Sequence, residues 1–194
     1  MALTAIAHMA NDETGIARAT YDDLCTATGL SRVKLSNGLQ VLVALGVLKL
    51  NPDGRSTYQL VGYNLNQGWA MFPMKSMYAG GKIAAFDDFK LRRPAELHAL
   101  KLFFLFVAYR DRSSNLAKIG YEKIRDYAGV KRERVKAAIS LLASVPLVYV
   151  EQIPSKESSY GVSNAYRIVG IEPSINMATR GRSIEVPNAN QIPY

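Results

Sequence analysis

The sequence contains an internal repeat at an offset of 100 residues. The stretch "TYDDLCTATGLSRVKLSNGLQVLVALGVLKLN" (20–51) aligns without a gap with "GYEKIRDYAGVKRERVKAAISLLASVPLVYVE" (120–151). Beyond residue 51 the offset becomes 108, and "STYQLVGY" (56–63) then aligns with "NAYRIVGI" (164–171). The landmarks fall in the same order in both copies, so the sequence predicts that one supersecondary unit is built twice.

Each copy has the same predicted order of elements. It begins with a helix, then a short extended piece (16–19 or 116–119), a second helix, a tight turn and a third helix, and it ends in a two-stranded hairpin. Gly29 and Gly129 follow the second helix at a position that favours left-handed backbone. Ser31 is placed to cap the third helix of the first copy, and Lys131 stands at the equivalent position of the second.

The third helix is predicted over about 31–45 and 131–144. Its buried stripe repeats at i, i+4 and i+7, with Leu35, Leu39 and Leu42 in one copy and Val135, Ile139 and Leu142 in the other. A small residue, Gly38 or Ala138, is expected where the second and third helices cross closely.

This order of elements is that of a winged helix, a helix-turn-helix followed by a β-hairpin. The fold prediction is therefore α+β, mostly helical, with two winged-helix domains in tandem at 1–63 and 94–171, each with three helices and a hairpin wing. The connector 64–93 is rich in aromatic residues and Met, and we expect it to be structured and to pack against both domains. Pro94 suits the start of the second domain. The tail 172–194 is expected to be free.

The first copy also resembles a known family. "LTAIAHMANDETGIARATYDDLCTATGLSRVKLSNGLQVLVALGVL" resembles the helix-turn-helix domains common in phage and plasmid replication proteins and mobile-element regulators. The resemblance covers residues 2–48, and more loosely 102–148, where Pro146 replaces the Gly found at 46. It implies DNA binding in replication initiation or transcription regulation. Two winged helices in one chain also resemble the architecture of plasmid replication initiators.

The charge is distributed unevenly along the chain. The formal net charge of +8 favours a polyanionic partner. Residues 1–63 and 172–194 are each neutral overall, whereas 64–93 carry a net +3 and 94–171 a net +5. The connector and the second domain therefore hold the whole excess.

The start of the third helix in each domain supplies the DNA-contact candidates, because these residues reach base edges in helix-turn-helix proteins. Arg pairs bidentately with guanine, Asn and Gln read bases, and Lys more often anchors phosphates. Including one basic residue from each wing, the candidates are Arg32, Lys34, Asn37, Gln40, Arg55, Lys131, Arg132, Arg134, Lys136 and Lys156.

Two interpretations of these surfaces remain open. "KRERVK" (131–136) is either a reading head or a solvated helix face. In the first domain, Val41, Val43 and Ala44 add apolar surface outside the Leu stripe, which suggests packing against another domain or self-association as much as DNA contact. The function predicted is sequence-specific binding of double-stranded DNA; the alternative is a protein-interaction adaptor with only non-specific DNA affinity.

Other classes of function receive no support from the residues. His8 and His98 stand in different helices without metal-ligand spacing, and Gly80-Gly81-Lys82 lacks the spacing of a phosphate loop. Cys25 is the single cysteine and suits a reducing compartment. The apolar runs are too short to span a bilayer. We expect no enzyme activity, no cofactor, no metal, no small-molecule ligand, no membrane association and a cytoplasmic location.

Overall fold

The computed structural model describes residues 1–64, 70, 72–73, 77–87, 89, 92–154 and 161–172. The fold is α+β, with six α-helices and small antiparallel sheets in the described residues, of which about 45% are helical. The helices are α1 (Ala2–Met9), α2 (Tyr21–Thr28), α3 (Arg32–Ala44), α4 (Pro94–Tyr109), α5 (Tyr121–Ala128) and α6 (Arg132–Ser144). The strands are β1 (Ile16–Arg18), β2 (Leu48–Leu50), β3 (Thr57–Leu60), β4 (Tyr78–Ala79), β5 (Lys82–Ile83), β6 (Leu116–Ala117), β7 (Val148–Pro154) and β8 (Val162–Ile168).

The duplicated order of elements is present in the fold. Helix, strand, helix, helix and two strands follow one another in the first repeat (1–63) and again in the second (94–171). The sheet orders correspond as well, β1-β3-β2 in the first and β6-β8-β7 in the second. The two-stranded hairpins that we predicted are therefore three-stranded sheets, because each short strand pairs with the last strand of its repeat.

The turns before the third helices follow the sequence pattern. Gly29 and Gly129 both adopt left-handed backbone, with φ of 66° and 62°. Ser31 caps α3 by accepting a hydrogen bond from the Lys34 backbone N–H, whereas Lys131 leaves α6 without a side-chain cap. These two glycines and this cap confirm the turn chemistry that the repeat predicted.

The second helices begin differently in the two repeats. Thr20 and Asp23 form a reciprocal capping box at the start of α2: the Thr20 hydroxyl accepts from the Asp23 N–H, and the Asp23 carboxylate accepts from the Thr20 N–H at 2.8 Å. These hydrogen bonds lower the pKa of Asp23. Gly120 at the start of α5 has no side chain to play this part.

The buried stripes of the third helices lie where the periodicity predicted them, but the helix crossing expected at Gly38 is absent. Leu35, Leu39, Val135, Ile139 and Leu142 are buried, and Leu42 is half-buried. We expected the second and third helices to cross closely at Gly38, and this prediction is wrong. A Cβ added at Gly38 would meet no atom within 4 Å, so no neighbouring helix requires a glycine there. The equivalent Ala138 of the second repeat is fully buried.

The connector joins the two repeats through ring contacts, as expected for its described residues. Phe72 packs edge-on to His8 of α1, with ring centroids 5.4 Å apart, and also contacts Phe103 and Phe104 of α4. The His8 Nδ1 is 3.1 Å from the Tyr78 hydroxyl. A contiguous buried cluster consequently includes side chains of both repeats and of the connector. Of the tail, only residue 172 lies within the described residues, so the prediction for 173–194 falls outside them.

Candidate nucleic-acid interface

The beginning of α6 places four basic side chains at the surface. Val130 is fully buried behind the Gly129 turn and fixes where the helix starts. Val135 and Ile139 then turn one face of α6 inward. The opposite face and both flanks of its first turns carry Lys131, Arg132, Arg134 and Lys136, all of which are exposed. The structure therefore brings together four of the ten predicted residues on one helix end.

These four cations form no ion pair in the described part of the chain, although the exposed Glu133 stands between Arg132 and Arg134. The Arg132 guanidinium lies over the Tyr121 ring, 5.3 Å from its centroid. A guanidinium stacked in this way keeps its N–H groups available at the ring's edge while its side chain is restrained.

The equivalent helix of the first repeat, α3, has fewer basic side chains, and one of them is in an ion pair. Arg32, Lys34, Asn37 and Gln40 are all exposed on α3. The Arg32 guanidinium, however, donates to the Asp22 carboxylate of α2 at 2.6 Å. An anion approaching Arg32 must compete with that carboxylate, although an ion pair this exposed contributes little stability.

Of the two hairpin residues predicted to contact DNA, only Arg55 lies within the described residues. Arg55 is exposed in the turn between β2 and β3, next to Ser56, whose φ is +59°. In the same turn Asp53 pairs with Arg18 of β1. Lys156 lies outside the described residues.

The second hairpin is longer than the first and is braced at its base. Its strands have seven residues each, against three and four in the first hairpin. Arg167 of β8 donates to Glu151 of the neighbouring strand and, through Nη1, to the Ser114 carbonyl at 3.0 Å. The hydrogen bonds from Arg167 lower the pKa of the Glu151 carboxyl. Tyr149, Val150 and Val162 remain exposed on the braced strands.

Several surface features were missed by sequence reasoning. Tyr127 is exposed on α5, and its ring packs against Tyr109 of α4 with centroids 5.5 Å apart. The Tyr121–Arg132 stack was also missed, although the identity of Tyr21 and Tyr121 in the repeat was a usable signal. Periodicity marks such tyrosines only as partly apolar positions, and it does not show which cation or ring lies beside them.

The described residues contain no group of three or more His, Cys, Asp or Glu side chains placed to hold a metal ion. Within the same residues, no helix is long and apolar enough to cross a membrane.

Comparisons with protein-family models, with curated proteins and with solved structures give no match to this chain.

Proposed function

We propose that the chain consists of two winged-helix domains in tandem and binds double-stranded DNA with sequence specificity. The domains correspond to residues 1–63 and 94–171. The N-terminal end of α6 is the principal reading head, and α3 provides a second set of contacts. Support for the assignment comes from the helix, turn, helix and hairpin order of each repeat, and from the left-handed glycine before each third helix.

The observation that carries the proposal is the exposed basic start of α6. Four cations occupy six successive positions (131–136), and none of the four is in an ion pair among the described residues. In a helix-turn-helix protein the N-terminal residues of the third helix contact base edges, and the residues beside them contact phosphates. Arg132 and Arg134 are assigned to guanine recognition, and Lys131 and Lys136 to the backbone.

The first repeat contributes a more polar and less charged surface. Asn37 and Gln40 offer amide groups suited to adenine, and Arg55 extends from the hairpin turn. Arg32 contributes less than Arg132, because it must first leave Asp22. The resemblance of residues 2–48 to replication-protein and regulator domains supports a proposed role in plasmid or phage replication initiation or in transcription regulation.

The experiment compares the full chain with two double variants on a DNA target selected from a random pool. Arg132→Ala with Arg134→Ala should lose specific binding, at about 1–3 kcal/mol for each lost bidentate contact. Lys82→Ala with Lys118→Ala removes the same amount of positive charge from exposed positions of β5 and of the segment after β6. This control should weaken binding only slightly.

The salt dependence of affinity gives a second readout. With about four to six phosphate contacts, log affinity should fall against log salt with a slope of roughly −4 to −5. Unchanged specific binding by the Arg132/Arg134 variant would contradict the assignment of the reading head. Once the target sequence is known, its position beside an origin or over a promoter decides between replication and transcription.

An adaptor function is the second candidate, favoured by the exposed apolar residues Val33, Val41 and Leu45 of α3. An adaptor should bind DNA weakly and without sequence preference. The selection experiment would then yield no enriched sequence, and competitor DNA of any sequence would displace the probe equally.

A further inference from the structure

The two repeats differ most clearly along one side of their third helices. In the first repeat this side consists of Gly38 and Val41 of α3 and Leu45 at its C-cap, which we call the α3 flank. Val41 is 57% exposed and Leu45 is 69% exposed. Above Gly38 the space is open, since a Cβ there would have no atom within 4 Å. The α3 flank is thus an uncovered apolar surface with a depression at Gly38.

The second repeat has the same flank, and there it is covered. Ala138, at the position of Gly38, is fully buried. Leu141 and Val145, at the positions of Val41 and Leu45, are half-buried against the core. The burial difference therefore extends over all three positions and is not a property of one side chain.

The first helix of the second repeat is longer than the first helix of the first repeat. Helix α4 has 16 residues, packs along α6, and buries Ala99 and Leu100 of its first turns. Helix α1 has 8 residues, so the described first repeat has no counterpart of the first two turns of α4. In the second repeat, the covered flank thus occurs together with a longer and largely apolar first helix that packs along the third helix.

We propose that a second copy of this chain covers the α3 flank, with its own α3 packed antiparallel across it. A two-fold axis near Val41 would place Leu45 of each copy over the depression at Gly38 of the other. Such a contact is self-complementary, as an isologous dimer requires. The projecting leucine fills the space that the missing Cβ leaves open, as in ridges-into-grooves packing.

The charges of α3 favour this arrangement. Residues 35–48 contain no charged side chain, and Arg32 and Lys34 stand together at the N-terminal end. A parallel pair would bring these cations next to their own copies. In the antiparallel pair the two Lys34 side chains lie apart, each beyond the C-terminal end of the opposite helix, where positive charge is stabilising, while Arg32 remains paired with Asp22.

The dimer covers a side of α3 that overlaps in part with the residues proposed to contact DNA. At 100° per residue, Gln40 lies about 100° or more around the helix from the α3 flank, whereas Asn37 lies about 40° from Val41 and Lys34 falls between Val41 and Leu45. The inference stands whether or not the chain binds DNA.

Sedimentation velocity of the full chain, from about 1 μM to about 200 μM, resolves micromolar dissociation constants. The wild-type chain should form a dimer within this range. Val41→Glu combined with Leu45→Glu should raise the dissociation constant at least tenfold. The matched control, Val150→Glu with Val162→Glu, changes residues that are 43% and 66% exposed on the second hairpin and should leave the dimer intact. A chain that stays monomeric throughout, or a flank variant that associates like wild type, overturns the proposal.

Two additional variants separate association from folding and fix the direction of packing. Gly38→Gln improves helix propensity in open space, so the monomer should be at least as stable while the dimer weakens at least tenfold. In a Cys25→Ser background, Val41→Cys should form an intermolecular disulfide, because position 41 meets its own copy at the axis. Leu45→Cys should not form one in the antiparallel pair. Efficient cross-linking at both positions would indicate parallel helices and contradict the arrangement.

Discussion

Two glycines of the first repeat should respond in opposite directions to the same substitution. Gly38 lies inside α3 with helical backbone, and a Cβ there would meet no atom within 4 Å. Gly15 lies in the turn before β1 with φ of +67°, and a Cβ there would be 2.5 Å from the Tyr63 Cγ. Replacing either residue with alanine adds one methyl group, but the surroundings of that group differ completely.

Gly38→Ala should stabilise the folded chain. Alanine is favoured over glycine in a helix interior by about 1 kcal/mol, because the unfolded glycine has more backbone freedom to lose. Since the added methyl displaces nothing, the full propensity difference should appear in the free energy of unfolding. For a chain of this length, 1 kcal/mol corresponds to a rise in Tm of about 2–4 °C.

Gly15→Ala should destabilise the chain by about 2–3 kcal/mol. Left-handed backbone costs an alanine about 1–2 kcal/mol. The methyl group must also displace the base of the Tyr63 side chain, whose hydroxyl donates to the Asp12 carbonyl at 2.7 Å, and losing that hydrogen bond costs about another 1 kcal/mol. The Tm should fall by about 4–12 °C.

Both variants are compared with wild type by thermal and urea denaturation, followed by circular dichroism at about 1 μM, where self-association contributes least. Helix content provides the control, since neither substitution should change it in the folded state. A destabilised Gly38→Ala would refute the reasoning, because it would mean that a neighbouring element approaches α3 at this glycine within the monomer. An unaffected Gly15→Ala would show that the turn relaxes freely around Tyr63.

Two further predictions concern polar side chains, the half-buried His8 and the buried Asn115. Burial lowers the pKa of His8 to about 4 from 6.5, so stability should be complete above pH 6.5 and should fall as the pH drops towards 4. The free energy of unfolding should fall by about 1–2 kcal/mol between pH 7 and pH 5, after allowance for the partial solvent exposure of His8. Urea denaturation at the two pH values measures this loss, and the loss should be absent in His8→Phe. Asn115 is buried with φ of +55° and donates through Nδ2 to the carbonyls of Ile168 and Ile171. Asn115→Ala should lower the free energy of unfolding by about 2–4 kcal/mol. Asn115→Gly should lower it less, because glycine adopts the left-handed backbone without strain and loses only the hydrogen bonds. Equal losses would show that the backbone conformation contributes nothing.

Local features of the fold were predictable from the sequence. The glycine turns, the Ser31 cap and the buried stripes depend on side-chain types at fixed spacing, and both copies display the glycine turns and the stripes. The pairing of Tyr58 with Ala17 and of Tyr166 with Ala117 also agrees with the change of offset from 100 to 108. The duplication supplied the same evidence twice, which is why element order was the most secure prediction.

Features that depend on two separate elements were not predictable. The expected crossing at Gly38 was wrong because the packing of a third helix depends on the reach of the first, and α1 and α4 differ twofold in length. The Arg32–Asp22 pair joins residues ten positions apart on different helices. The stack of Arg132 on Tyr121 likewise requires the relative position of α5 and α6. Periodicity describes one element at a time and carries no information about such distances.

The differences at aligned positions favour a division of labour between the repeats. Arg32 and Arg132 occupy the same place on the same scaffold, yet one is bound to a carboxylate and the other is supported by an aromatic ring. DNA binding at Arg32 must break an ion pair of up to about 1 kcal/mol, whereas Arg132 is restrained without being neutralised. Helix α3 is uncharged beyond its first turn and keeps an apolar flank open, while α6 buries that flank and carries its charge outward. A duplicated domain can diverge in this way because the buried stripe and the glycine turn fix the fold, which leaves the surface of each third helix free to acquire a different partner. On this basis the proposed DNA contacts are assigned mainly to the second repeat, and the proposed association to the first.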